Sequence, residues 1–175
     1  MEKELEYALK LMSFSQPNGS VPKGLFDFLG DWLERNGYKT ERTKNALICF
    51  GNSNKAIFQG HIDTVPFDAS GWKKSPTGEI GKGMLFGRGA TDMKASVGAL
   101  LAALEGCEKK PILVFTDDEE GGAFNGIRQA VSAIRKSGVR PECAVNMEPS
   151  DFRVVYARKG VLFAKVFTYG KAAHG

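Results

Sequence analysis

Residues Ile112–Gly122 read "ILVFTDDEEGG". With Pro111 in front, the apolar part is a continuous run of the kind found in strands buried on both faces of a parallel sheet. It leads directly into Asp117, Asp118, Glu119 and Glu120. Two carboxylates about 4 Å apart repel by roughly 4 kcal/mol at an effective dielectric near 20. Four of them at the end of a buried strand either fan out into water or surround something positive.

The flanking segments give the strand its fold class. Upstream, Met93, Val97, Leu100, Leu101 and Leu104 mark a helix; downstream, Ile127, Ala130, Val131 and Ile134 mark another, followed by the strand-like "CAVNM". "ALICF" and "AIFQGHID" are two earlier short strands joined by the turn signal "GNSN". Leu5, Ala8, Leu9 and Met12 predict an opening amphipathic helix. Leu25, Phe28, Leu29 and Trp32 predict a second, with Pro22 at its start and Gly37 at its stop. Helices alternating with apolar strands predict an α/β sheet covered by helices on both faces. Residues 64–90, rich in Gly, Pro and Lys, hold no long periodic pattern, and loops of that length are usually functional. "FRVVYA" and "VLFAKVFTY" read as strands without a helix between them, so the architecture is expected to change near Gly160.

Bulk properties narrow the function. The 175 residues suit one ordinary domain, and the formal charge of +4 is too small to argue for nucleic acid or an acidic membrane surface. Cys49, Cys107 and Cys143 are odd in number and far apart, which fits reduced, mostly buried thiols. "MEKELEYALKLM" is charged and helical, unlike a signal peptide, and no apolar run approaches the roughly 20 residues of a membrane span. A soluble cytoplasmic protein is the expectation.

Open α/β sheets place ligands at the C-terminal ends of their strands. "IFQGHID" ends there in His61 and Asp63, "ILVFTDDEE" in the acidic run and "AVNMEP" in Glu148, while "GRGATD" delivers Asp92 ahead of a helix. Each has an ordinary structural reading taken alone. His61 fits a satisfied core or surface residue, Asp92 a helix cap, Glu119 and Glu120 a solvated turn, and Glu148 a turn before Pro149. Together they form a donor set for Zn²⁺ or a similar divalent ion. On an extended chain His61 and Asp63 share a face, so Asp63 either supports the ring or bonds backbone amides in the turn. The chain carries no phosphate-loop pattern, H-E-x-x-H, G-x-S-x-G or C-x-x-C.

"GHIDTVP", "GRGATDMK", "TDDEEGG", "NMEPS" and "ARKG…GKAAHG" occur in order. They resemble the signatures of the di-zinc family of acetylornithine deacetylase, succinyl-diaminopimelate desuccinylase and carboxypeptidase. The resemblance runs from about residue 45 to 175. It implies a zinc-exopeptidase-like, mixed and largely parallel sheet. Residues 1–159 would be the N-terminal part of a metallohydrolase domain, and residues 160–175 the start of a lid and dimerisation domain. It implies that His61 and Glu148 bind one metal, Glu120 a second, and Asp92 both. Asp63 would orient His61, Glu119 would be the general base, and His174 would stabilise the transition state, often in a partner subunit's site. The peptide after Asp92 is expected to be cis. Two Zn²⁺ ions, with Co²⁺ or Mn²⁺ as substitutes, would assist hydrolysis of an N-acyl amino acid or peptide amide.

"DTVPFDASGW" and "RPECAVNMEPS" look most like acetylornithine deacetylase. The alternatives are a related desuccinylase, an acetyl-lysine deacetylase, a carboxypeptidase or dipeptidase, and a catalytically incomplete binding or assembly module. The presence of Glu119 beside the ligands favours an enzyme. Because relatives continue beyond "GKAAHG", the resemblance implies the N-terminal part of a longer, homodimeric protein. The 175 residues alone are then expected to hydrolyse little.

Overall fold

A computed structural model describes residues 2–157, 160, 162 and 164–171. Seven strands and four helices follow in the order α1 (Lys3–Ser13), α2 (Lys23–Arg35), β1 (Lys39–Arg42), β2 (Ala46–Phe50), β3 (Ala56–His61), β4 (Glu79–Gly81), β5 (Met84–Phe86), α3 (Ala95–Leu104), β6 (Ile112–Thr116), α4 (Asn125–Lys136) and β7 (Cys143–Asn146). The main sheet has the order β1-β2-β6-β3-β7. β3 runs parallel to both β6 and β7, whereas β1, β2 and β6 pair antiparallel.

β6 is the central strand, and all five of its residues are buried. Its side chains alternate between two cores. Leu113 and Phe115 join Leu47 and Cys49 against α1, α2 and α3, whereas Ile112 and Val114 join Ala46 and Ile48 against α4. Burial on both faces explains why the run is apolar throughout rather than alternating. The helices on both faces are those the sequence predicts, although Val131 lies off the buried stripe of α4 and is exposed.

α1 and α3 cross closely at Gly98. A β-carbon there would stand 2.6 Å from the Ala8 backbone nitrogen and 2.9 Å from its Cα. Gly98→Val is therefore expected to cost roughly 1–3 kcal/mol of stability through overpacking, read as a lower urea midpoint. An unchanged midpoint would mean that α1 yields freely.

Four expectations are corrected. "GNSN" closes no hairpin, because β6 lies between β2 and β3 and the turn serves a crossover. The segment 64–90 contains a hairpin, β4–β5, turned through Lys82 and Gly83, both at positive φ. "FRVVYA" and "VLFAKVFTY" form no strands among the described residues. Phe152, Val154, Tyr156, Leu162 and Tyr169 are exposed there, with no ladder to take up their backbone groups. Cys49 is buried, but Cys143 is exposed on the edge strand β7; the cysteines are free. Among the described residues, no helix is long and apolar enough to cross a membrane.

Candidate metal centre

Parallel pairing brings the site together. His61, the last residue of β3, is in register with Thr116, the last of β6, and Gln59 with Asn146 of β7. The segments that leave these strands, 62–64, 117–120 and 147–148, therefore emerge on one edge of the sheet. Asp92 arrives from a kinked turn before α3, in which the Asp92–Met93 peptide is cis, as the resemblance implies. Met93 turns inward and its Sδ accepts the His61 backbone N–H at 3.3 Å. Asp92 does not cap α3, whose first turn has no side-chain cap.

The acidic run divides into two pairs. Asp117 accepts from Asn45 Nδ2 at 2.9 Å and lies 3.9 Å from the Arg42 guanidinium. Asp118 accepts from the Asn125 and Gly126 amides at 2.7 and 3.1 Å, satisfying the first free N–H groups of α4. These two acids are structural. Glu119 and Glu120 turn toward His61, each joining it in a group of donor atoms.

His61 is fully buried. Its Nδ1 lies 3.0 Å from the Asp63 carbonyl oxygen and 3.5 Å from the Asp63 carboxylate, so the backbone carbonyl is the nearer acceptor. The Asp63 carboxylate also accepts the Glu120 backbone N–H at 2.9 Å, which ties the end of β3 to the acidic turn. The carboxylate thus bonds a backbone amide, one of the two sequence readings, while the ring's nearer acceptor is the Asp63 backbone carbonyl. The other ring nitrogen, Nε2, lies 2.9 Å from Asp92 Oδ1 and 3.9 Å from Glu148 Oε1.

This donor set fits a cation. With Nδ1–H donated to Asp63, a neutral ring would aim its Nε2 lone pair at carboxylate oxygens. Either a proton on Nε2 or a cation between ring and carboxylates makes that arrangement favourable. Burial disfavours a charged ring, yet the carboxylates of Asp63, Asp92 and Glu148 outweigh it and raise the His61 pKa to about 10. Burial, with Asp92 next, also raises the pKa of Glu120. His61, Asp92 and Glu120 form one group of ligand atoms within 4.8 Å of one another, and His61, Glu119 and Glu148 form a second. Six of the seven expected site residues, Asp63 among them, thus converge at one edge. The seventh, His174, lies outside the described residues. Lys94, buried beneath the site, is the residue that strand-end reasoning overlooks; its one signal is adjacency to "TDM".

An α/β sheet that gathers one imidazole and several carboxylates at the ends of its parallel strands has the architecture of a divalent-cation site. Residues 57–158 match peptidase family M20/M25/M40, and the chain belongs to that family. It is 34% identical to a succinyl-diaminopimelate desuccinylase of Wolinella succinogenes, over 97% of this chain and 50% of the relative. With the enzyme of that name from Buchnera aphidicola it shares 37% identity, over 83% of this chain and 42% of the relative. The chain thus spans about half the length of the curated relatives it matches. Its fold is similar to that of an M20 family metallo-carboxypeptidase from Sulfolobus solfataricus, with a TM-score of 0.70 and 19% identity, over 84% of this chain and 37% of that one.

Proposed function

We propose that the chain supplies the cation-binding half of a di-metal amide hydrolase that acts on an N-acyl amino acid, with a succinyl group as the favoured acyl part. The observation that carries the hydrolase reading is the convergence of His61, Asp92, Glu119, Glu120 and Glu148 on one sheet edge. The succinyl preference is supported by the desuccinylases among the relatives; it replaces the acetylornithine lean of the sequence motifs. His61 and Glu148 would hold one ion, Glu120 another, and Asp92 would contribute to both. Divalent ions, zinc in this proposal, supply Lewis acidity toward water and the scissile carbonyl. Asp63 keeps the His61 ring turned with Nε2 toward the ligands. Glu119 takes the proton from the attacking water and returns it to the departing amine. Substrate contacts, residues 160–175 as the start of a lid, a role for His174 and a homodimer through that lid belong to the same proposal.

The experiment is a competition between acyl groups. Purified from its own cells and supplied with Zn²⁺, the protein is expected to release succinate from N-succinyl-diaminopimelate faster than acetate from N-acetylornithine. The reverse preference would restore the deacetylase reading. Cleavage of dipeptides alone would make the protein a peptidase.

A further inference from the structure

Lys94 is 1% exposed and is among the largest fully buried side chains, yet the hydrolytic mechanism assigns it no role. An ammonium taken out of water needs a counter-charge and acceptors to replace its hydration. Lys94 Nζ donates to the Phe14 carbonyl oxygen at 3.2 Å, in the segment that follows α1. Burial pulls the Lys94 pKa down to about 8, and the Asp63 carboxylate opposes that fall. Asp63 is 3% exposed, and its Oδ1, 3.5 Å from His61 Nδ1, makes no hydrogen bond among the described residues. A buried ammonium and a buried carboxylate thus act on each other through the protein interior, without an ion-pair contact between them.

The backbone makes room for this pairing. Gly89 has φ +82°, and a β-carbon on it would stand 3.1 Å from Thr64 Cγ2 and 3.2 Å from Lys94 Cδ. The glycine lets the lysine stem lie against the Asp63–Thr64 segment, and the Lys94 N–H returns to the Gly89 carbonyl at 2.8 Å. Gln16 Nε2 grips the same segment at the Ile62 carbonyl, 2.9 Å away. The loop after α1 therefore bonds this segment directly at Ile62 and reaches Lys94 through Phe14.

We propose that Lys94 is a positioning residue of the cation site: its buried side chain, anchored at Phe14 and packed on Gly89 beside Thr64, fixes the segment that orients His61 and the Glu120 amide. The inference rests on the divalent-cation reading above. Its effect reaches the ligands through Asp63, so the two residues should behave as one unit.

The test is a Co²⁺ titration of the chain, followed by visible absorption and calorimetry, on wild type, Lys94→Met, Asp63→Asn and the double variant. Lys94→Met is expected to weaken Co²⁺ binding roughly 10–100-fold, the range found for groups that orient ligands, and to alter the Co²⁺ absorption bands. The double variant, with both buried charges gone, is expected to fold and to bind about as weakly as Asp63→Asn alone. A folded Lys94→Met with wild-type affinity and spectrum overturns the inference. Should Lys94→Met fail to fold, a double variant binding far more weakly than Asp63→Asn overturns it instead, because the two effects would then be independent. A wild-type chain that takes up no Co²⁺ defeats the cation reading and this inference together. Wild-type binding left intact by Lys94→Met defeats the inference alone.

Discussion

His61→Ala is expected to weaken divalent-cation binding by more than about 100-fold, beyond the usual loss when only an outer partner is removed. Both donor groups at the site share this imidazole, so one substitution takes a ligand atom from each. What remains is a set of carboxylates, whose all-oxygen chemistry suits Mg²⁺ or Ca²⁺ better than Zn²⁺. The variant also loses the ring that faces Asp92 and Glu148, leaving carboxylate repulsion unrelieved. Isothermal titration with Zn²⁺, alongside far-ultraviolet circular dichroism to verify the fold, reads the effect. A folded variant that binds Zn²⁺ as tightly as wild type would remove His61 from the site.

Glu119→Gln is expected to lower amide hydrolysis by a factor of about 10²–10⁴, the range for loss of a general base, while cation affinity stays near wild type. The geometry makes this a sharp choice. Glu119 neighbours Glu120 in sequence, yet its carboxylate lies within reach of His61 and Glu148, in a group that could itself ligate. A base needs its carboxylate free to exchange a proton with water; a ligand spends it on the ion. Turnover of the native protein and Zn²⁺ affinity, measured on the same variant, separate the two roles. Parallel loss of activity and affinity would make Glu119 a ligand and send the search for the base elsewhere.

Much of this site is legible in the sequence. The approximate ends of β3, β6 and β7 could be read from where apolar runs stop, and strands that run parallel expose those ends on one side. His61, Glu119, Glu120 and Glu148 follow from that argument, and the "GRGATD" turn adds Asp92. The separation of the four consecutive acids was not legible. Asp117 and Asp118 look identical to their neighbours in sequence. They are diverted by Asn45, Arg42 and the amides of α4, groups that only the folded chain brings near. The "GNSN" turn misled for a related reason: local turn chemistry reports a reversal of the chain, not which strand fills the space beside it.

By itself the sequence determined the α/β class, the two-faced burial of β6 and which residues stand at the strand ends, because periodicity and strand ends are properties of contiguous residues. Tertiary structure decided the insertion of β6 between β2 and β3, the choice of the Asp63 carbonyl as the ring's nearer acceptor, and the burial of Lys94 against the Asp63 segment. Each of these joins residues far apart in sequence or turns on a side chain's direction, and such contacts form only when the hydrophobic cores close around them.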